Sequence, residues 1–452
     1  MMVSGLLVVA LALVAAPPAA AATVPTAIPA AAPAPASRVL TLEEAIQTAR
    51  SRHPQIRQAT AVSAAASARV DEALAPLLPQ VTGSGNYQRT TANYTSRPGS
   101  LPSSLSGSSG TESLDSFNYF SFGLNASVLL YDFGQTRSRW HSSQASLASQ
   151  EESERTTLSQ VLFTARTAYF QARAARGLVD VAKQTLANQK KHLEQTEGFV
   201  EVGTQAPIAL AQSRTAVANA RVQLITAENG YDTAKAQLNQ ATGVDGPADY
   251  DVADAPAPAI EGEEGTTNAL LGEAVKARPE LSVFARQIDA QLLTIRSFQG
   301  AYGPSLGAST GLAEAGVSMS QLTWNWNALL SVSVPIFLGG LTRGQVNEAK
   351  ANLESIRAQA EIERQQIRFE VEQARLAVRA AKETIVAAEE ALVNAREQLR
   401  LAEGRYETGV GSILELSDAQ VALTSAGQQG VQAEYTMAQA RAQLLKALGR
   451  DH

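Results

Sequence analysis

Cysteine is entirely absent from the 452-residue sequence. Its absence excludes disulfides, thiolate metal sites, a catalytic thiol and a lipid attached through an N-terminal cysteine. We therefore expect any contact with a membrane to come from the fold itself.

Aromatic and charged residues are also scarce, at 5% and 18% of the chain. This composition, rich in Ala and Gln, is typical of long packed helices rather than of a globular protein with a thick aromatic core. Basic residues number 37 against 43 acidic ones, and they form no tract. The charge pattern thus argues against nucleic acid as a partner.

A long apolar run occurs once, at residues 3–22, and a Pro/Ala-rich segment follows it. We interpret residues 1–22 as a signal peptide, cleaved after Ala20 or Ala22, and residues 23–40 as a flexible leader. Beyond the leader no run of about eighteen apolar residues occurs, so no transmembrane helix is predicted.

What the chain does contain is an internal duplication. EAIQTARSRHP (44–54) recurs as EAVKARP (273–279), and YDFGQTR (131–137) recurs as FLGGLTR (337–343). Single residues that match between the halves are Pro79 with Pro304, Gly203 with Gly409, and Gly243 with Gly449. We predict two repeats, 41–243 and 267–449, joined by an acidic, Pro-rich linker at 244–266 and followed by a tail at 450–452.

Each repeat contains two segments that alternate like β-strands. The predicted strands are 81–94 and 118–130 in the first repeat, and 305–313 and 323–334 in the second. Strands of about ten residues with one apolar and one polar face match the signature of outer-membrane barrels. A soluble antiparallel sheet has the same period of two, so the alternation alone leaves both architectures open.

Helical heptads follow the strands. Alanine alternates with larger residues at spacings of four and three along 135–201 and 340–407, which predicts helices about 100 Å long at about 1.5 Å per residue. Gly203 and Gly409 lie in the turns after these helices. Shorter helices are predicted at 55–75, 206–241, 280–300 and 412–448. The heptads alone also fit an ordinary soluble coiled coil.

A search for catalytic and metal sites finds one motif. Gly307 to Gly311 matches the G-x-S-x-G nucleophile elbow, but the only histidine that follows is the terminal His452. The other histidines, His53, His141 and His192, lack metal-ligand spacing. We therefore interpret the motif as part of a strand and predict neither an enzyme nor a metal or cofactor.

With these features the chain resembles the TolC family of outer-membrane efflux and secretion channels. The resemblance rests on the duplicated halves, the helix-to-strand junctions at Pro79 and Pro304, the YDFG and FLGG turns, and the segment YETGVGSILELSDAQ (406–420). It implies a homotrimer in the outer membrane, with a twelve-stranded β-barrel that continues into a twelve-helix periplasmic tunnel. Four strands per chain cannot close a barrel, so a need for several copies also follows from the sequence.

The resemblance implies an exit duct for tripartite efflux or type I secretion. Its expected partners are outer-membrane lipid, a periplasmic adaptor (membrane fusion protein) and an inner-membrane pump or ABC transporter. The alternative is a periplasmic coiled-coil adaptor or a structural protein. An adaptor would carry one helical hairpin with compact β domains, whereas this sequence predicts two hairpins with strands inserted in each repeat.

Candidate site residues come partly from this resemblance. Tyr406 matches a tyrosine of the family's gate, whereas Gly411 and Ala209 stand where the family pattern has an arginine and an aspartate. Glu415 and Asp418 match the acidic residues that line the tunnel entrance, although two acids near a helix start also fit a simple dipole interaction. From their place on an apolar strand face, Trp324 and Trp326 are predicted to anchor the barrel at the lipid headgroups.

Overall fold

A computed structural model describes residues 38–91 and 116–450. The predicted signal peptide, most of the leader, the end of the first predicted strand, the Ser/Gly-rich loop before residue 116 and the last two residues lie outside this range.

The described residues form long helices and two small sheets, numbered here along the chain. The helices are α1 (Leu42–Arg52), α2 (Pro54–Leu74), α3 (Gln135–Glu201), α4 (Pro207–Thr242), α5 (Thr267–Ala277), α6 (Pro279–Gly300), α7 (Leu341–Glu407) and α8 (Ile413–Leu448). The strands are β1 (Arg38–Leu40), β2 (Gln80–Thr91), β3 (Ser116–Tyr131), β4 (Tyr250–Val252), β5 (Ser305–Gly316) and β6 (Thr323–Ser333).

Several element ends differ by a few residues from the sequence prediction, for local reasons. Gly340, predicted as the first residue of a helix, is the N-cap of α7 with φ of 86°. Ser412 is likewise the N-cap of α8, where its side chain accepts a hydrogen bond from the backbone N–H of Glu415. β5 runs to Gly316 rather than residue 313 because Ala315 still pairs with both neighbouring strands.

The larger sheet is antiparallel, with the strand order β2-β3-β5-β6. Gln80 pairs with Ser127 in β3, and Ser305 pairs with Ser333 in β6. The chain enters and leaves the helices at this end of the sheet, whereas Thr91, Ser116 and the β5–β6 connection lie at the other end. The sheet thus projects from one end of the helical array.

The helices pack side by side around α3. Towards the hairpin tips, the order of neighbouring helices is α4-α3-α8-α7. Nearer the sheet, the order is α2-α3-α6-α7. Contacts between α3 and α8 join the two hairpins, α3–α4 and α7–α8. Within residues 38–91 and 116–450, no helix combines the length and the hydrophobicity that would be needed to cross a membrane.

Small and large side chains alternate reciprocally where α3 meets α8. A Cβ on Gly177 of α3 would lie 3.1 Å from Val431 Cγ2 of α8. A Cβ on Gly427 of α8 would lie 3.4 Å from Val181 Cγ1 of α3. Each valine therefore fills the space that a glycine on the opposite helix leaves open.

The predicted linker is ordered against the middle of the helices. Within it β4 pairs with β1, and Ala253 N–H donates to Leu40 O at 3.0 Å. Glu263 lies between Arg441 Nε at 3.1 Å and Lys382 Nζ at 2.8 Å. Burial raises the pKa of Glu263, but hydrogen bonds from Arg441 and Lys382 outweigh burial and hold this pKa at about 2. The carboxylate therefore stays charged and fixes the linker to α7 and α8 at neutral pH.

Two glycines with left-handed backbone, Gly243 and Gly203, have very different surroundings. Gly243 ends α4 with φ of 71°, and a Cβ there would lie only 2.7 Å from His53 Cα. Gly203, with φ of 76°, lies in the turn after α3, where a Cβ would meet nothing within 4 Å. Both glycines avoid strain, but only Gly243 also permits close packing against the junction of α1 and α2.

We predict that Gly243→Ala destabilises the protein more than Gly203→Ala. Both substitutions place a side chain in left-handed backbone, at a cost of about 1 kcal/mol. Only Gly243→Ala adds a clash with backbone atoms, worth about 1–3 kcal/mol more. Thermal unfolding of the two variants, followed by circular dichroism, measures the difference. Equal melting temperatures would contradict the predicted contact with His53.

Candidate functional site

The tips of the two hairpins lie at the end of the array that is remote from the sheet. α3 ends at Glu201 and α4 begins at Pro207, while α7 ends at Glu407 and α8 begins at Ile413. Gly203 and Gly409, the predicted tip glycines, both have left-handed backbone in the intervening turns. The two tips therefore have matching geometry, as the duplication predicts.

Tyr406 lies in an apolar core that joins the two tips. Its side chain is 2% exposed, and its ring meets that of Phe199 on α3 edge-on, with centroids 5.7 Å apart. Buried residues of the same cluster are Leu399, Ala402, Leu416 and Ala419. Tyr406 is thus the aromatic contact between one hairpin and the other.

The hydroxyl of Thr196 connects three helices at this core. Thr196 Oγ1 lies 2.8 Å from His192 O, to which it donates, 3.2 Å from Tyr406 Oη and 3.2 Å from Ser213 Oγ. A threonine hydroxyl has one donor and two acceptor lone pairs. Since its proton goes to His192 O, it accepts from both Tyr406 and Ser213. The buried hydroxyl is therefore fully hydrogen-bonded across α3, α4 and α7.

His192 adds a buried imidazole one turn earlier on α3. Its Nδ1 lies 3.1 Å from Gln195 Oε1, and its Nε2 lies 3.4 Å from Glu403 Oε1 of α7. Burial lowers the pKa of His192, and the contacts with Gln195 and Glu403 only partly oppose this. From the sequence His192 is considered only as a metal ligand, and Thr196 is not a candidate. A polar threonine at a heptad position of the long helix was the signal that could have found this group.

At Ala209 and Gly411, where the resemblance implies charged residues, the structure has little room for a charged side chain. Ala209 is 4% exposed, in a place where a carboxylate would be buried. A Cβ on Gly411 would lie 2.9 Å from both Arg405 Cβ and Tyr406 N. An arginine at position 411 therefore requires a shift of the backbone.

Glu415 and Asp418 lie in the first two turns of α8 but have different surroundings. Glu415 Oε1 lies 3.1 Å from Arg405 Nε, whereas Asp418 is exposed one turn further along. The sequence analysis treated the two acids alike and did not include Arg405. Because the ion pair offsets part of the charge of Glu415, Asp418 is the less compensated of these two acids.

The four-stranded sheet has one apolar and one polar face. Directly paired residues point to the same side of a sheet, so the register assigns each residue to a face. The apolar face carries Val81, Tyr87, Phe120, Phe122, Leu124, Val128, Leu306, Leu312, Trp324, Trp326, Leu330 and Val332. The other face is mainly polar and carries Thr82, Ser84, Asn86, Ser121, Asn125, Ser127, Ser309, Asn325, Asn327 and Ser331, together with Phe117, Tyr119, Leu129 and Leu329.

Trp324 and Trp326 lie on the apolar face at the end remote from the helices. They are 69% and 62% exposed in the single chain. Trp326 Nε1 donates to Thr310 Oγ1 of β5 at 3.0 Å. Glu314, which pairs with Trp324, is the first charged residue of β5 on this face. The tryptophans therefore mark the edge of the apolar band.

Pro79 and Pro304 each stand directly before a strand. A short 3-10 turn (Ala75–Leu77) and Leu78 separate α2 from Pro79, and β2 begins at Gln80. Pro304 follows α6 after three residues and precedes β5 at Ser305. Proline has no N–H to donate to a ladder, so it fits the point where a helix gives way to a strand.

The nucleophile-elbow interpretation does not fit the structure. Ser309 lies in the middle of β5, paired with Ser127 on one side and Leu329 on the other. An elbow requires a sharp turn from strand to helix at the serine.

Within the described residues, no group of three or more potential metal ligands comes together.

An exposed apolar sheet joined to long paired helices fits a component of a membrane channel. The family model for outer membrane efflux proteins matches residues 45–244 and 270–450. The chain therefore belongs to the outer membrane efflux protein family, and its location is the outer membrane.

Similar proteins and structures agree with this assignment. The chain is 28% identical over 420 residues to outer membrane protein TolC of Escherichia coli, with 87% of this chain and 79% of TolC covered. It is 26% identical over 428 residues to the probable efflux pump outer membrane protein TtgC of Pseudomonas putida, with coverage of 90% and 82%. The fold matches the Campylobacter jejuni CmeC outer membrane channel with a TM-score of 0.77 at 19% identity, covering 91% and 86% of the chains.

We predict that the Tyr406–Thr196 hydrogen bond helps to hold the tips together. Tyr406→Phe and Thr196→Val should each raise single-channel conductance in planar bilayers, because each removes a contact worth about 1 kcal/mol. The double variant should conduct little more than either single one, since both changes remove the same bond. Thr185→Val is the matched control, because Thr185 contacts Thr424 at 3.1 Å away from the tip. Wild-type conductance in Tyr406→Phe and Thr196→Val would place the gate elsewhere.

We predict unequal effects of the two tip acids on ion selectivity. Asp418→Asn should weaken cation preference and block by multivalent cations more than Glu415→Gln does, most clearly at low salt. Arg405→Gln should strengthen cation preference by releasing the charge of Glu415. Reversal potentials across a salt gradient measure all three variants. Identical values for Asp418→Asn and the wild type would exclude Asp418 from the entrance.

Proposed function

We propose that three copies of this chain form a passive exit duct for tripartite efflux or type I secretion. The duct would receive its cargo from an inner-membrane pump through a periplasmic adaptor and conduct it across the outer membrane. The observation that carries this proposal is the apolar face of the β2-β3-β5-β6 sheet, which is exposed in the single chain.

The apolar face has the dimensions and the boundary of a lipid contact. From Trp324 to Val332 it extends about 27 Å along β6 at about 3.4 Å per residue. A strand tilt of about 40° reduces this to about 20 Å, close to the apolar band of outer-membrane barrels. Aromatic rings cluster at the far edge, where Tyr87 and Phe120 lie 5.0 Å apart near the level of the tryptophans. Aromatic side chains favour the headgroup region of a membrane.

Unpaired strand edges favour assembly of several copies. Within residues 38–91 and 116–450, β2 and β6 are the outer strands of the sheet, so each has backbone groups without a partner strand in that part of the chain. In hydrocarbon each unsatisfied group costs several kcal/mol. Pairing β6 of one copy with β2 of the next removes this cost, and three copies give the twelve-stranded barrel. The polar face then lines the lumen.

The outermost helices, α4 and α7, also have exposed apolar surfaces that could meet in the same trimer. At the level of the hairpins, α4 and α7 are the outermost helices of the chain. Exposed apolar residues follow one side of α7, namely Ile362, Phe369, Leu376, Val386, Val393 and Leu401. On α4 the exposed apolar residues include Ile208, Val222 and Ile225. Contact between α7 of one copy and α4 of the next would bury both sets and close a twelve-helix tunnel.

The names of similar proteins favour efflux over other uses of such a duct. They include a probable efflux pump outer membrane protein and the cation efflux system protein CusC. In this arrangement the duct is common to all cargoes, and the inner-membrane partner selects them. Susceptibility profiling of a deletion strain, together with analysis of its secreted proteins, would identify the cargo.

The adaptor alternative is distinguished by location and assembly. An exit duct should fractionate with the outer membrane and run as a heat-modifiable trimer on gels. An adaptor should do neither. Recovery of the chain as a periplasmic monomer would refute the duct.

We predict that the two faces of β6 respond oppositely to charge. Trp324→Glu with Trp326→Glu should reduce the yield of outer-membrane trimer, because each glutamate would meet lipid at the edge of the apolar band. Asn325→Glu with Asn327→Glu, on the opposite face of the same strand, is the matched control and should assemble normally. Trimer yield in isolated outer membranes is the measurement. Normal assembly of the tryptophan variant would contradict the assignment of the faces.

A further inference from the structure

A cavity of about 620 Å³ lies in the middle of the chain, outside the contacts already described. Its walls are α1, α3, α8 and the linker residues 257–261. The helices proposed to meet neighbouring copies, α4 and α7, are not among these walls. The lining residues come from one chain, and the size of the cavity lies within the range typical of ligand sites.

One end of the cavity is apolar. Leu42, Phe170, Ala257 and Ala438 line it there and belong to one hydrophobic cluster. Arg173 contacts Glu434, and Gln160 contacts Lys446, so α3 and α8 run antiparallel past the cavity. The distance from Ala438 to Gly449 along α8 is about 17 Å at about 1.5 Å per residue.

Four arginine side chains interrupt the rest of the wall, which also contains Ile46, Pro258, Ala259, Ile260, Ala442 and Leu445. Arg166 and Arg441 line the middle of the cavity, and Arg50 and Arg450 line the end opposite Phe170. Among the lining residues in the described part of the chain, Glu261 is the one carboxylate. The end opposite Phe170, called the basic end below, thus carries Arg50 and Arg450, and the charge of Arg450 is paired with Glu273.

Arg441 and Arg450 are held in place by hydrogen bonds, and each has N–H groups that these bonds do not use. Arg441 Nε and Nη2 donate to Glu263, and its Nη1 donates to Ala257 O at 2.7 Å. Arg450 repeats the pattern with Glu273 and with Glu261 O at 2.8 Å. A guanidinium has five N–H donors, so each retains two. Arg50 is exposed at the same end and adds a positive charge.

We propose that this cavity binds an amphipathic carboxylate, with its acyl chain against Phe170 and its carboxylate at the basic end. Arginine recognises carboxylates through paired N–H groups, and rigidly held arginines lose little freedom on binding. The ligand would touch α1, α3, α8 and the linker together, so binding would also stabilise the packing of the linker against the helices.

Dodecanoate tests the proposal on the whole protein in lipid nanodiscs, where free detergent does not compete. Isothermal titration calorimetry should detect dodecanoate binding, whereas dodecanol and dodecyltrimethylammonium, with the same chain but no anionic head, should bind at least about ten-fold more weakly. Arg50→Gln should weaken dodecanoate binding about ten-fold. Arg52→Gln, on the same helix but not lining the cavity, is the matched control and should bind like the wild type.

A second variant tests the apolar part of the site. Ala259 is exposed at the cavity wall, so Ala259→Trp should block entry without disturbing the core. It should abolish dodecanoate binding while trimer yield and melting temperature stay normal. Equal binding of dodecanol and dodecanoate would overturn the proposal. So would unchanged binding in both Arg50→Gln and Ala259→Trp.

Discussion

Close approach of helices along α3 is the constraint on which the rest of the structure depends. Helix α3 contacts α1, α2, α4, α6 and α8, so small side chains are required where a neighbour approaches closely, while large residues such as Tyr169 and Phe170 are buried elsewhere along it. Ala165, Ala172 and Ala182 meet this requirement, as does the reciprocal packing of Gly177 with Val431. Packing of this kind contributes many weak dispersion contacts rather than a few strong bonds. A single larger residue at such a position would therefore separate the two hairpins.

The sheet end and the tip end of the molecule differ in the chemistry of their side chains. At the sheet end, side chains alternate between an apolar and a polar face with few charges between them. At the tips, the hydroxyl groups of Thr196 and Tyr406 are hydrogen-bonded between the hairpins, and His192 lies 3.4 Å from Glu403. Hydrogen bonds depend on direction and can be exchanged for water at modest net cost. Such bonds fit the gate that we predict at the tips.

The middle of the chain is organised by charge as well as by packing. Arg278 is 4% exposed and donates to both Glu280 and Glu370, which ties the junction of α5 and α6 to α7. Burial lowers the pKa of Arg278, but the two glutamates outweigh burial and raise it above its ordinary value. Arg441 and Arg450 fix the linker in the same way. The linker composition alone, acidic and Pro-rich, is equally compatible with a disordered segment.

Periodicity in the sequence by itself determined the kinds of element and their arrangement in two repeats. Heptads specify long helices, alternation specifies two-faced strands, and glycine and proline mark their ends, because each signal depends only on neighbours along the chain. Contacts between distant residues were decided only by tertiary structure. Thr196 and Tyr406 are 210 residues apart, and the pairing of Arg405 with Glu415 depends on how the α7–α8 turn folds back. The absence of space for a side chain at Gly411 and the basic cavity beside the linker likewise arise only when separate helices meet, since no local pattern records which side chains face one another.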